Sequence, residues 1–466
     1  MVTAVEELTA LLGDDRVRTH PLDQHLFAKD AGLRRGGAAV VVFPETSGEV
    51  AAVVKTARAH GMPIVARGAG TGLAGGAVPQ EGWLLVVLTR MNRIFEIDEV
   101  GRTAWVGPGV VNLDLSQATA GLGLHFAPDP SSQSACTVGG NVATNAGGPH
   151  CLAEGSTVAH ILGVELVTAD GNTIVVGGEA PDTPGYDLRG VIVGSEGTLG
   201  IVTRVLVRLT ENPPDTATLL MAFDTIEDAS RTVSDVIAAG MVPAALEMMD
   251  NAMCLAVENF VQAGYPTDAA AVLLADVSGH PAGTAASIEL LTDIAVGNGA
   301  TSVRVATDAS ERALLWKGRK SAFGAVAQAA PDYYLNDTVV PRTRIVEVIS
   351  KTYEIAERYG ISLMNVFHAG DGNLHPLVSF DAAEPGMTER VVAAAREMVI
   401  VAIAAGGTLS GEHGIGVEKR DLMSSVFSAE DLDAQARLRE AFDPDGALNP
   451  EKVLPDGARC FDWGTA

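Results

Sequence analysis

The chain has 466 residues, of which 47% are hydrophobic and 19% charged, and its formal net charge is -26 at pH 7. This length exceeds what one hydrophobic core usually serves, so we expect two or more domains. The negative charge disfavours nucleic acid and anionic membrane surfaces as partners. An organic acid bound by such a protein would need a local cation.

The N-terminal stretch MVTAVEELTALLGDD predicts an acidic helix and has neither the basic flank nor the apolar core of a secretory signal. The longest apolar run, MVIVAIAAGG, is too short to cross a bilayer. We therefore expect a cytoplasmic protein without direct membrane insertion, in contact with a membrane only through partners. The four cysteines form no CxxC pair, so we expect buried thiols and no iron–sulfur cluster.

The first glycine-rich loop follows two predicted strands, AVVVF and PIVA, and the helix between them, which begins after Thr46 and stops near Gly61. This loop, RGAGTGLAGGAVP, spans Arg67 to Pro79 and leads into a predicted strand, WLLVVL. A Rossmann fingerprint should open a helix at this point, and a Walker A loop should end in Gly-Lys-Ser/Thr, so both are excluded. Two interpretations remain: an anion-binding nest of backbone amides, or a tight turn.

Two further loops, SSQSACTVGGNVATNAGG and GSEGTLGIVT, also lie beside β-rich sequence. They contain Gly, Asn, Ser and Thr, which permit close backbone approach and supply short polar side chains. Three such loops in one half of the chain indicate a single large ligand that is contacted from several sides.

The three loops resemble the FAD-binding half of the vanillyl-alcohol oxidase/p-cresol methylhydroxylase flavoprotein family. The resemblance implies an α+β fold with an FAD-binding domain of two subdomains. Since the first loop has no histidine, non-covalent FAD is favoured, although His150 lies just past the second loop. The implied cofactor-binding residues are Arg67, Gly68, Ala69, Gly70, Thr71, Gly72 and Leu73 in the first loop, Pro128, Ser134, Thr137, Gly139, Gly140, Asn141, Thr144, Asn145 and Gly147 in the second, and Glu196, Gly200, Ile201 and Val202 in the third.

The second half begins near Pro213 and Pro214 with a predicted βαββαβ order, which is typical of a ferredoxin-like cap. An acidic helical segment around MMDNAMCLAVENF is inserted in it. We predict an N-terminal helical segment over residues 1–35, the FAD-binding domain over 36–213, a substrate or cap domain over 214–410, and a C-terminal segment over 411–466. The last segment is helical and returns to complete the active site.

The stretch HAGDGNLHPLVSF holds His368 and His375 on either side of a Gly-Asp-Gly bend that cannot be helical. A third ligand, Glu412, lies in TLSGEHGIGVEKR. Two histidines and one carboxylate leave coordination positions open, as a catalytic divalent metal requires. A lone loop histidine is more often a hydrogen-bonding residue, but the two loops together favour a metal, zinc first and manganese or iron as alternatives.

Together with WKGRKSAFGAVAQAAPDYY and LNPEKVLP, these motifs resemble the FAD-linked 2-hydroxy-acid dehydrogenases. This group includes the FAD subunit of bacterial glycolate oxidase and, more distantly, D-lactate and D-2-hydroxyglutarate dehydrogenases. The resemblance covers nearly the whole chain and implies that His368, His375 and Glu412 bind the metal, that His413 is the base and that Arg319 binds the substrate carboxylate. From the residues alone, Arg319 could equally be a surface arginine beside Lys317 and Lys320, and His413 a fourth metal ligand or a partner of one.

The predicted reaction is oxidation of a small 2-hydroxy acid, with hydride transfer from C2 to flavin N5 and proton transfer to a histidine. Apolar Phe323, Leu335 and Leu377 favour glycolate or D-lactate over larger dicarboxylates. Electrons would leave through a carrier or an iron–sulfur partner subunit. The alternatives are a D-2-hydroxyglutarate dehydrogenase that works alone, a non-redox transferase that uses FAD as a scaffold, and a binding subunit without chemistry, which the intact histidine set disfavours.

Overall fold

The computed structural model describes residues 3–180 and 184–456. Its α-helices are α1 (Ala4–Leu12), α2 (Pro21–Leu26), α3 (Ser47–Ala59), α4 (Asn112–Thr119), α5 (Val138–Thr144), α6 (Cys151–Glu154), α7 (Leu188–Ile192), α8 (Ile226–Ala238), α9 (Asn251–Val261), α10 (Pro281–Gly297), α11 (Ala309–Lys320), α12 (Ala322–Ala329), α13 (Ile345–Tyr359), α14 (Met387–Ala404) and α15 (Ala429–Phe442). Its β-strands are β1 (Val17–Arg18), β2 (Ala38–Val42), β3 (Ile64–Arg67), β4 (Trp83–Val87), β5 (Ile94–Asp98), β6 (Thr103–Val106), β7 (Leu124–His125), β8 (Ile161–Val167), β9 (Thr173–Gly177), β10 (Ile201–Arg208), β11 (Thr210–Glu211), β12 (Asp215–Phe223), β13 (Ala245–Asp250), β14 (Ala271–Gly279), β15 (Ala300–Val305), β16 (Asp332–Leu335), β17 (Thr338–Val339), β18 (Ser362–Phe367), β19 (Asn373–Leu374) and β20 (Pro376–Phe380).

The chain forms two compact units. The first comprises the described residues of 1–147, 155–212 and 412–466, and the second comprises 148–154 and 213–411. The short segment 148–154, which follows the second glycine-rich loop in the sequence, is part of the second unit, where Leu152 packs against the core.

The first unit begins with the predicted N-terminal helix. Thr3 and Glu6 form a reciprocal capping box at the start of α1, and buried Leu8 and Leu12 pack in the same core as α3. Thr46 caps α3 by accepting from the amide of Glu49, which confirms the predicted helix start.

The first unit contains two main sheets. The four-stranded sheet has the order β1-β2-β4-β3, with β2, β4 and β3 parallel, and the five-stranded sheet has the antiparallel order β5-β6-β10-β8-β9. The predicted strand WLLVVL is β4, whose residues are all buried. Because β4 rather than a helix follows the first glycine-rich loop, the exclusion of a Rossmann fingerprint is confirmed.

The second unit contains the predicted βαββαβ order as β12, α8, β13, β14, α10 and β15, with α9 as the inserted helix. Its antiparallel strands are arranged β15-β12-β14-β13, and β18, β20 and β16 extend them into a seven-stranded sheet. Helices α8 and α10 cover an apolar face that includes Leu219, Met221 and Leu273. The predicted α+β fold class is therefore confirmed.

The longest apolar run of the sequence lies in α14. No helix within the described part of the chain is both long and apolar enough to cross a membrane.

Candidate active site

The first glycine-rich loop leaves β3 at Arg67 and is fixed from one side by Asp30. The buried Asp30 carboxylate accepts from the amides of Gly32 and Gly75, and the carbonyl of Gly72 accepts from Ala31. Burial raises the pKa of Asp30, while these hydrogen bonds and the charge of Arg67 oppose the rise. Asp30 was not singled out from the sequence, because an Asp in a polar segment gives no signal of its own.

The amides from Ala69 to Leu73 donate to no group within the described residues. These residues are exposed or only partly buried, so a run of successive backbone amides here is open to an anionic group of a ligand. Gly72 meets no heavy atom within 4 Å of the position a Cβ would take. The loop therefore has both the donors and the space for a phosphate, which fits the predicted pyrophosphate of FAD.

The second loop lies directly against the first. A Cβ at Gly68 would lie 2.3 Å from Oγ1 of Thr137, the residue that caps α5 by accepting from Gly140. A Cβ at Gly139 would lie 2.5 Å from Cβ of Pro108. Both positions favour glycine because Thr137 and Pro108 lie too close to leave room for a Cβ atom.

Several of the polar groups predicted at the cofactor bond to the protein itself. The Arg67 guanidinium donates to the carbonyl of Lys29 at 2.8 Å. The Asn145 side chain accepts from the amide of Val158 at 2.8 Å, and the Asn141 side chain accepts from Asn112 at 2.9 Å. These contacts hold the two loops in shape and leave mainly backbone and short side chains for a ligand.

The remaining predicted cofactor residues lie along the same loops. Pro128, Ser134, Thr144 and Gly147 belong to or flank the second loop and α5. Gly200 directly precedes β10, which begins with Ile201 and Val202.

His368 and His375 are brought together in the second unit by the bend that the sequence predicts. His368 follows β18, the residues from Ala369 to Gly372 form the bend, and His375 lies between β19 and β20. The amide of His368 donates to the carbonyl of Asn373 at 3.1 Å and so closes the bend. The two imidazole rings lie with their centroids 5.1 Å apart and their planes at 90°.

Glu247, on the central strand β13, connects His368 to Arg319. Its Oε1 lies 2.8 Å from Nδ1 of His368, and its Oε2 pairs with Nη2 of Arg319. All three side chains are buried. Burial raises the pKa of Glu247, but the charges of Arg319 and His368 outweigh it and hold the pKa below its usual value.

Arg319 is only 2% exposed, so the alternative of a surface arginine is wrong. Its Nε has no hydrogen-bond partner within the described residues.

Asp337, which follows β16, occupies the corresponding place beside His375. Its Oδ1 lies 3.9 Å from Nδ1 of His375, and the carboxylate accepts from Oγ of Ser410 at 2.6 Å and from the amide of Gly411. The sequence analysis missed both Glu247 and Asp337. The sequence signal that could have identified them is an acidic residue within or directly after an apolar strand, in LEMMDN and in YYLND.

Glu412 and His413 follow Gly411 directly and belong to the first unit. A carboxylate oxygen of Glu412 lies 3.7 Å from Nε2 of His413. The next residues, Gly414 to Gly416, wrap around the carboxylate of Glu196, which accepts from the amides of Ile415 and Gly416.

Family models and known proteins match both halves of the chain. A model of the FAD binding domain matches residues 38–177, and a model of the C-terminal domain of FAD linked oxidases matches residues 212–453. Glycolate oxidase subunit GlcD of Escherichia coli (strain K12) is 45% identical over 91% of this chain and 85% of its own length. D-lactate dehydrogenase of Archaeoglobus fulgidus is 35% identical over 93% of this chain and 96% of its own.

The crystal structure of p-cresol methylhydroxylase with substrate bound has a TM-score of 0.84 at 18% identity, over 97% of this chain and 96% of the other. This likeness confirms the predicted FAD-binding fold.

The fold and the glycine-rich loops thus define an FAD-dependent flavoprotein. The chain belongs to the FAD linked oxidases, and it is an FAD-linked oxidoreductase.

Proposed function

We propose that this oxidoreductase oxidises a small 2-hydroxy acid, glycolate or D-lactate, to the 2-oxo acid. The observation that carries the proposal is the buried pair of imidazoles, His368 and His375, each with a carboxylate beside its Nδ1. The names of the relatives GlcD and D-lactate dehydrogenase support the same substrate class.

The donor set suits a divalent metal. The Glu247 carboxylate is hydrogen-bonded to Nδ1 of His368. In metal sites a carboxylate in this place orients the imidazole so that its other nitrogen can bind the ion. We infer that His368, His375 and Glu412 hold the ion, zinc first and manganese or iron as alternatives. Two imidazoles and one carboxylate leave positions for a substrate carboxylate and hydroxyl.

The two cofactors supply chemistry that the side chains lack. When bound, FAD would supply the acceptor for the hydride, and a divalent ion held by His368, His375 and Glu412 would supply a Lewis acid that lowers the pKa of the substrate hydroxyl.

The protein's own residues hold the acid and remove its proton. We propose that neutral His413 takes the hydroxyl proton as the C2 hydride leaves, so that the 2-hydroxy acid loses two electrons and two hydrogens. Arg319 is proposed to bind the substrate carboxylate, and its pairing with Glu247 fixes the guanidinium in place.

Two buried leucines support a small substrate. Leu335 and Leu377 face each other across β16 and β20, and Leu377 lies two residues beyond His375. Apolar groups at this place offer no partner for the second carboxylate of a 2-hydroxy diacid, whose desolvation would go uncompensated.

We further infer that the electrons pass from the reduced flavin to a partner. GlcD is by name a subunit, which supports a complex, and an iron–sulfur partner subunit or a soluble carrier would provide the acceptor.

The test is anaerobic absorbance of the flavin during titration with glycolate, D-lactate, L-lactate and D-2-hydroxyglutarate, before and after chelator treatment. Rapid bleaching by glycolate or D-lactate, lost with chelator and strongly slowed in His413→Asn, is the expected result. If none of the four acids bleaches the metal-replete protein, the oxidase proposal is wrong and the transferase alternative gains. Bleaching by D-2-hydroxyglutarate alone would favour that dehydrogenase instead.

A further inference from the structure

Glu196 is a buried acid in the turn that precedes β10, and its backbone has a positive φ of 52°. Its carboxylate accepts from two successive amides, Ile415 at 2.7 Å through Oε1 and Gly416 at 2.9 Å through Oε2. Hydrogen bonds from amides to a buried carboxylate are stronger than those between neutral groups. The two amides therefore share one acceptor, the carboxylate of Glu196.

The loop that carries His413 fits closely around this carboxylate. A Cβ at Gly414 would lie 2.7 Å from Oε1 of Glu196, and a Cβ at Gly416 would lie 2.0 Å from the carbonyl of Ala74. Both glycines also have positive φ, 83° and 53°. Directly after His413, therefore, the close packing and the backbone conformation both exclude side chains at positions 414 and 416.

Hydrogen bonds from the C-terminal segment connect the same group of loops. The Asn449 side chain donates to the carbonyl of Glu196 at 2.7 Å and to that of Gly76 at 2.9 Å, and the amide of Val453 donates to the carbonyl of Gly416 at 2.9 Å. Val453 has a positive φ of 68°, which is unfavourable for a β-branched residue and persists only where the surroundings enforce it. The loop of His413, the turn of Glu196 and the first glycine-rich loop are thereby tied together.

We propose that Glu196 is a positioning residue, which sets the place of the His413 imidazole by holding the amides of Ile415 and Gly416. The sequence analysis placed Glu196 at the cofactor, whereas its carboxylate here is engaged with the loop. The inference rests on the proposed role of His413 as the base. A displacement of about 1 Å at a reacting group can slow a reaction by about a hundredfold, so a small shift of this loop is enough to matter.

The first variant is Glu196→Gln, whose amide oxygen can accept from one backbone amide while its NH₂ faces the other. At about pH 8.5, where the wild-type carboxylate is ionised, we expect flavin reduction at saturating acid to slow by about tenfold to a hundredfold. FAD content should be unchanged. Hydrogen exchange of the segment around Ile415 and Gly416 should be faster, a readout that does not depend on turnover.

The second part is a double-mutant cycle with His413→Asn. Because Glu196 acts through His413, Glu196→Gln should slow flavin reduction by no more than about twofold when His413 is already replaced. The control is Glu165→Gln in the same unit, where the carboxylate bonds to hydroxyls of Ser47 and Thr203 rather than to loop amides. This variant should reduce flavin at the wild-type rate.

The outcomes separate the two proposals. Wild-type flavin reduction in Glu196→Gln, or a full additive loss in the double variant, overturns the positioning role while the base role of His413 stands. No effect of His413→Asn alone overturns the base and, with it, the positioning role. Should Glu196→Gln fail to retain FAD, Glu196→Asp provides the same test, because its shorter side chain keeps the charge but no longer reaches the amides of both Ile415 and Gly416.

Discussion

The carboxylate of Glu247 lies 2.8 Å from Nδ1 of His368, and both side chains are almost fully buried. An ionised carboxylate can only accept a hydrogen bond, so Nδ1 of His368 is the donor, and a neutral imidazole in this orientation would present Nε2 to the proposed metal. Arg319 keeps Glu247 ionised by pairing with its other oxygen. A residue far from the histidine motif in the sequence thus determines the tautomer of that histidine.

Replacing Glu247 by Gln should weaken divalent metal binding by about tenfold to a hundredfold, because the uncharged amide no longer fixes the tautomer of His368. The measurement is chelator competition on the metal-replete protein. Asp250→Asn is the matched control, since Asp250 is a buried acid on the same strand that bonds to Tyr353 and Asn365 instead of a histidine. Unaltered metal affinity in Glu247→Gln would show that His368 needs no orienting partner.

Replacing Gly68 by Ala should weaken FAD binding, because the new methyl would lie 2.3 Å from Oγ1 of Thr137 and push the two cofactor loops apart. Overpacking of this kind costs about 1–3 kcal/mol, or about fivefold to 150-fold in the dissociation constant. Fluorescence titration of the apoprotein with FAD measures it. Gly283→Ala in α10 meets nothing within 4 Å and should bind FAD as the wild type does; equal affinity in both variants would contradict the close packing of the loops.

The stability of the protein should depend on pH through Glu196. Burial raises the pKa of Glu196 from 4.5 to about 7, although the amides of Ile415 and Gly416 and the charges of Lys452 and Lys419 oppose the rise. The folded state therefore holds this proton more tightly than the unfolded state. The associated stability is complete below the unfolded pKa and is lost as pH rises through the folded pKa, by about 3 kcal/mol in total.

Denaturant unfolding of the wild type and of Glu196→Gln, from about pH 5.5 to about pH 8.5, isolates this contribution. The unfolding free energy of the wild type relative to the variant should fall up to about pH 7 and then level off. A difference that stays constant with pH would mean that Glu196 titrates at its ordinary value.

Local sequence patterns were sufficient for much of the secondary structure and for the bend between His368 and His375. Thr46 and Glu49 set the start of α3, and the alternation of strands and helices after Pro214 indicated the ferredoxin-like order of the second unit. The bend between His368 and His375 was predictable because Gly370, Gly372 and Pro376 exclude a helix over a few residues.

The partners of those residues were not predictable in this way. Glu247 is 121 positions from His368, and Glu196 is 219 positions from Ile415. A single sequence carries no signal for pairs this far apart, and an acid in an apolar strand is compatible with many partners. The place of segment 148–154 in the second unit was missed for the same reason, because it depends on the packing of Leu152 against a distant core.

The sequence by itself determined the fold class, the glycine-rich loops and the bend between His368 and His375, since each depends on local backbone freedom and short-range periodicity. Only the tertiary structure decided that Arg319 is buried and paired with Glu247, that Asp337 stands beside His375, and that Glu196 anchors the loop of His413. The physical reason is that burial and charge pairing arise between groups that folding brings together. The residues that separate two such groups in the sequence do not indicate that the groups will meet.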